Sequence, residues 1–175
     1  MKNKLSILCA AGLILLSAGC VNPEKTFSYR DLSFNYDSSV YVLEDVRSDD
    51  GGCSFTMRDL KRPGVAGYYI IENVSALPAS PQQACEEAAF ALLEDLSRDG
   101  SRQIYSDRLE KNITADYPVQ YSCSLFVQGD GQGDSWKYYL RAYFLGDHFI
   151  RVRTESPAEY GTATLIHRFN LQRQQ

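Results

Sequence analysis

Alternation of apolar and polar residues with a period of two runs through most of this chain and breaks once, after Ser80, into a helical period. Leu32–Tyr36, Val40–Val46, Cys53–Leu60 and Tyr68–Val74 are rich in Tyr, Phe, Val and Ile, side chains that suit a pleated, half-buried surface. Asp37-Ser38-Ser39, Asp49-Asp50-Gly51-Gly52 and Pro63-Gly64 separate them and supply turn chemistry. An antiparallel meander is expected. Ser80-Pro81-Gln82-Gln83 then reads as a capping box, with Ser80 at the N-cap and Pro81 at the first helical position. Cys85, Ala88, Ala89, Leu92, Leu93 and Leu96 make one stripe of a helix to about Arg98; Glu86, Glu87, Glu94 and Asp95 face water, and Gly100 ends it. Val119–Val127, Trp136–Leu145 and Phe149–Thr154 return to period two, whereas Gln103–Thr114 fits neither period. Ser156-Pro157-Ala158-Glu159 predicts a closing helix through about Phe169, weakened by Gly161, Thr162 and Thr164. Runs of strands interrupted by non-alternating helices define an α+β class, here a single domain over residues 27–175.

Residues 1–19 stand outside that pattern. Lys2 and Lys4 precede an apolar run from Leu5 to Leu16, followed by Ser17-Ala18-Gly19-Cys20. A basic start, a short apolar stretch and small residues before a cut mark a secretory signal, and the cysteine after them resembles the bacterial lipobox. Ser17 stands where that motif usually has Leu, with Leu16 one step back. The resemblance implies acylation of Cys20, with palmitate-class chains. A transmembrane reading is disfavoured because a span needs about 20 apolar residues. Residues 20–26 then form a tether reaching roughly 20 Å at 3.3–3.6 Å per residue. Val21 in place of Asp after the cysteine points, by analogy with enterobacterial sorting, to the outer membrane, with the domain facing the periplasm.

Cleavage at Cys20 removes two lysines, leaving 16 Lys and Arg against 22 Asp and Glu. Such an acidic domain has no electrostatic affinity for nucleic acid or anionic headgroups, so membrane attachment rests on the lipid. Cys53, Cys85 and Cys123 remain in a compartment that permits disulfides. Cys53–Cys85 is the favoured bridge, because the strand beginning at Cys53 is expected beside the end of the strand that leads into the helix. Cys85–Cys123 is the second choice, and three buried thiols the third.

Catalytic and metal motifs are weak. Gly133-Asp134-Ser135-Trp136 looks like the Gly-Asp-Ser start of one esterase family, but it sits in a Gly-rich loop, and His167 lacks the Asp that should precede it by three. The two histidines, His148 and His167, read as a turn residue and a helix residue. Asp49-Asp50 and Glu86-Glu87 lie on a turn and a helix surface, where carboxylates stay solvated. Gly129–Asp134 offers too few oxygens for a dedicated Ca²⁺ site, and the cysteines lack zinc spacing. The expectation is a non-enzymatic chain with no cofactor and no metal.

One surface feature has chemistry of its own. A three-residue turn, Gly146-Asp147-His148, pairs Leu145 with Phe149 and sets Tyr139, Arg141 and Tyr143 opposite Arg151 and Arg153 on one face. That stripe suits an anionic partner through forked hydrogen bonds and cation–π contact, or is simply a solvated sheet face with Arg stems over Tyr rings.

The element order, with the opening Phe27-Ser28-Tyr29-Arg30-Asp31-Leu32-Ser33-Phe34-Asn35-Tyr36, resembles the PsbP/DcrB-like superfamily. Asp37-Ser38-Ser39 replaces the Pro and Trp that often follow there. The resemblance implies an antiparallel sheet sandwiched by helices and a binding or assembly role, with no catalytic residues. The expected function is therefore that of an anchored accessory with an envelope protein partner. A small-molecule or glycan binding module is the alternative.

Overall fold

The structure, a computed structural model, describes residues 23–98, 102–112, 121–131, 134–160 and 172–173. Ten strands and one helix are formed there: β1 (Glu24–Tyr29), β2 (Leu32–Asp37), β3 (Tyr41–Ser48), β4 (Gly52–Asp59), β5 (Ala66–Asn73), α1 (Pro81–Arg98), β6 (Arg102–Asn112), β7 (Ser122–Gly131), β8 (Asp134–Leu145), β9 (His148–Pro157) and β10 (Gln172–Arg173). They build two sheets, one ordered β1-β2-β10 and a larger one ordered β3-β4-β5-β9-β8-β7-β6. All pairings are antiparallel. The architecture is a sheet-dominated α+β fold.

Each face of the large sheet is covered over a different half. α1 lies on β6–β8, where Cys85, Ala89 and Leu96 meet Cys123, Leu125, Val127, Tyr138, Leu140, Ala142 and Phe144. On the opposite face the small sheet covers β3–β5 and β9, packing Phe27, Leu32 and Phe34 onto Phe55, Met57, Tyr69, Ile71, Ile150 and Val152. An aromatic stack joins these layers: Phe27 sits 4.5 Å from Phe55, and Phe55 sits 4.6 Å from Tyr69, centroid to centroid. Such ring pairs contribute roughly 0.5–1.5 kcal/mol each beyond area burial, and they fix where the β1–β2 turn lands on the large sheet.

The start of α1 follows the expected Ser80-Pro81 signal, and its buried stripe is the expected one; Gly100, the expected stop, lies outside the described residues. Ser80 O accepts from Ala84 N at 3.0 Å. Gln83 does not close a capping box: its amide donates to Glu87 Oε1 one turn on. Residues 156–157 end β9 instead of starting a helix, and the rest of the predicted closing helix, 161–169, lies outside the described residues. Within the Gly-rich stretch, Gly129–Gly131 end β7 and Asp134 opens β8. Gly129 pairs with Ile104 and Trp136, and a Cβ there would stand 2.7 Å from the Gln103 carbonyl.

The last hairpin corrects the predicted register. Leu145 pairs with His148, and Phe144 with Phe149, so the turn is the two-residue Gly146-Asp147. Gly146 has φ +64°, the positive value a type II′ turn requires at its first central position. A one-residue shift exchanges the faces of a whole strand. Arg151 and Arg153 therefore lie on the α1-side face, beside Ala142 and Leu140, while Tyr139, Arg141 and Tyr143 lie on the other beside Thr154, Val152 and Ile150.

Candidate functional site

His148 opens β9 and is fully buried (0% exposed). It stands where four connections converge. Asn73, at the end of β5, is its cross-strand neighbour. The β1–β2 turn brings Tyr29, Arg30 and Asp31 over it, the β3–β4 connection brings Asp49 and Asp50, and the β8–β9 turn brings Asp147. Backbone bonds clamp these pieces together, from Asn73 N to Gly51 O at 2.9 Å and from Val74 N to Asp147 O at 2.8 Å.

Both imidazole nitrogens are engaged. Nε2 lies 2.6 Å from Asp31 Oδ1 and 3.6 Å from Asp147 Oδ1. Nδ1 lies 3.1 Å from Asn73 Oδ1. The Asn73 amide is oriented by its other end, since Nδ2 donates to the Tyr29 hydroxyl at 2.8 Å and to Asp50 O at 2.9 Å. Its carbonyl must then face His148, so Nδ1 is the donor and carries a proton. Arg30 Nη2 also donates to Asp50 O, at 2.8 Å. Arg30 holds φ +50°, a left-handed conformation that costs a non-glycine residue on the order of 1 kcal/mol. That cost is met in the turn that aims Asp31 at the ring. Asp31 and Asp147 are 32% and 63% exposed at their side chains, so the cluster has a buried nitrogen at its base and two carboxylates at its mouth.

The residues picked out in the sequence are distributed otherwise. Cys20 lies outside the described residues. Cys53 packs in the layer beneath the small sheet and Cys85 in the layer beneath α1. The sheet thus stands between them, and the expected Cys53–Cys85 bridge is not formed; both are thiols. Cys123 shares the α1 layer with Cys85 and is also a thiol. Burial, with Cys123 adding to it, pushes the Cys85 thiol up to about 12 from its ordinary 9.0, and burial raises Cys53 as well. All three are expected to resist alkylation in the native protein, reacting roughly 10³-fold or more slower than in denaturant. Thiol titration with and without denaturant checks this. The unfolded chain releases the Cys85 proton near pH 9.0 and the folded chain near 12. The associated stability is therefore complete below pH 9.0 and falls as pH rises through that window.

The expected Arg/Tyr stripe is split between two faces. Arg141 lies over the Tyr143 ring at 4.5 Å on one. Arg153 lies over Tyr68 at 4.3 Å on the other, where Arg151 pairs with Glu72. Tyr139 is buried against Phe126 at 4.5 Å, its hydroxyl 3.0 Å from that of Ser124. Ser135 Oγ donates to Asp130 Oδ1 at 2.8 Å across the β7–β8 hairpin.

Compared with solved structures, the chain superposes on the solution structure of cyanobacterial PsbP (CyanoP) from Synechocystis sp. PCC 6803. The TM-score is 0.63 at 14% sequence identity, covering 90% of this chain and 99% of that one. The chain has a PsbP-like fold. No protein-family model and no curated protein matches it. At this identity the likeness is one of fold, and the residues around His148 stand on their own geometry.

Proposed function

We propose that this PsbP-like domain is a lipid-anchored envelope protein that works without catalysis, as a protein-binding or assembly accessory facing the periplasm from the outer membrane. The observation that favours this reading most is the length of the link. β1 begins at Glu24, leaving residues 21–23 between Cys20 and the first strand, a reach of about 10 Å at 3.3–3.6 Å per residue. That is about half the tether anticipated from the sequence. A domain held so close to a bilayer meets partners that are themselves at the membrane surface. The side chains most suited to chemistry also hold structure: His148 uses both nitrogens on neighbouring elements, and Ser135 ties a hairpin. A second helix over the segment after β9 would complete a helix-sandwiched sheet in this reading.

The test is in-cell crosslinking of the anchored protein followed by mass spectrometry. One reproducible envelope-protein partner is expected, enriched roughly 10-fold or more over a non-lipidated Cys20→Ala control, as effective concentration near the surface implies. Capture of lipid and background alone would overturn the accessory reading and favour a small-molecule or glycan binding module.

A further inference from the structure

We propose that Asp31, Asp147 and His148 form a binding site for a borderline divalent transition metal ion of the Zn²⁺ class. The ligand atoms of these three residues lie within 4.8 Å of one another. They come from two separate tight turns and a buried strand end, so the convergence is produced by the tertiary fold. Nδ1–H of His148 donates to Asn73 Oδ1, which leaves Nε2 as the ring atom aimed at the two carboxylates. Metal-bound histidines are held in the same way, the distal N–H donating to a carbonyl or carboxylate that fixes tautomer and ring orientation. Here Asn73 is the orienting residue, itself fixed by Tyr29 and Asp50.

A neutral imidazole would point its Nε2 lone pair at carboxylate lone pairs, so a cation belongs between them. A proton joins Nε2 to one oxygen. Asp31 takes that place at 2.6 Å, while Asp147 faces the same nitrogen at 3.6 Å, beyond hydrogen-bond distance. Two ligands on one tetrahedral Zn²⁺, each at 2.0–2.2 Å, are separated by about 3.3 Å. The Asp147 spacing is already close to that value, and Asp31 reaches it by retreating roughly 0.7 Å from the ring. Both carboxylates can make such moves, being on turns and partly exposed, and the open side admits the ion and a water as fourth ligand. A divalent ion also balances the two carboxylates, where a proton on His148 balances one. One imidazole with two carboxylates suits Zn²⁺ and its neighbours, whereas Ca²⁺ and Mg²⁺ require more oxygens in larger or octahedral shells.

Calorimetric titration of the untagged, full-length protein with ZnCl₂ at neutral pH tests the assignment, with a thermal-unfolding scan at each ratio. One equivalent is expected to bind and to raise the midpoint, with no competition from millimolar Ca²⁺ or Mg²⁺. Asp147→Ala, an exposed change that leaves the fold intact, is expected to weaken Zn²⁺ roughly 10-fold or more, and Asp31→Asn, which removes the other carboxylate, is expected to do the same. Absence of a one-equivalent isotherm overturns the site. So does Zn²⁺ binding that both variants leave unchanged, or Ca²⁺ binding with equal strength.

Discussion

His148→Ala is expected to destabilise the domain by roughly 3 kcal/mol in chelator-containing buffer, where no bound ion contributes. The loss has two sources. Truncating a fully buried ring leaves a cavity that the surrounding strands fill poorly. It also removes the partner of Asn73 Oδ1, which cannot turn away without giving up the Tyr29 and Asp50 bonds at its other end, and the loss of this part-buried hydrogen bond costs about 0.5–1.5 kcal/mol. Against a total stability of about 5–15 kcal/mol this is a large fraction. The melting midpoint should fall by on the order of 10 °C for a domain of this size. His148→Gln, which retains one polar contact, should lose about half as much. Urea unfolding with chelator present decides between this and a surface role, for which a change below about 0.5 kcal/mol is the expectation.

The buried position of His148 was hard to read from the chain, and the reason lies in how the large sheet is covered. Sorting the last hairpin by faces assumes one apolar and one polar side. β8 obeys no such rule, since Tyr138, Leu140, Ala142 and Phe144 are buried toward α1 while Tyr139, Tyr143 and Leu145 are buried on the other side. Strands buried on both faces lose their alternation. β9 has Ile150 and Val152 under the small sheet, and Arg151 and Arg153 on the α1-side face near strands that carry Glu72 and Tyr68. The three-residue turn that separates charge from hydrocarbon most cleanly is therefore the wrong one. Gly146-Asp147 was the available signal, being a glycine followed by an acid between two strands.

Elements with local chemistry were legible. Ser80-Pro81 announces α1, and its stripe continues without interruption. β1 was not, because Phe27 is the one buried residue among Glu24–Tyr29, so an edge strand of this kind shows no period. β6 was obscured by a register shift between Tyr105 and Glu110, which resets the alternation partway along. The His148 cluster is illegible for a further reason. Its bond to Asp31 spans 117 residues and its bond to Asn73 spans 75. No spacing rule operates at that range.

Cys20→Ala is expected to abolish acylation and with it stable retention at the membrane. Residues 20–175 are acidic, with 16 Lys and Arg against 22 Asp and Glu, so they offer no polybasic attraction that could substitute for a lipid. Among the described residues no helix is long and apolar enough to cross a bilayer. The acyl chains are then left to supply the binding energy, at about 0.8 kcal/mol per buried CH₂, and two or more chains convert marginal, reversible contact into stable anchoring. Labelling with palmitate and fractionation of the envelope measure both steps. The unaltered chain should take up label and sediment with the outer membrane, while Cys20→Ala should take up none. Equal labelling of the two would place the lipid elsewhere and remove the short tether on which the proposed function stands. Because residues 21–23 are all that separate Cys20 from β1, a Gly/Ser insertion of about ten residues there adds roughly 17 Å of mean reach. If closeness to the bilayer selects the partner, that insertion should reduce capture while leaving acylation and unfolding midpoint unchanged.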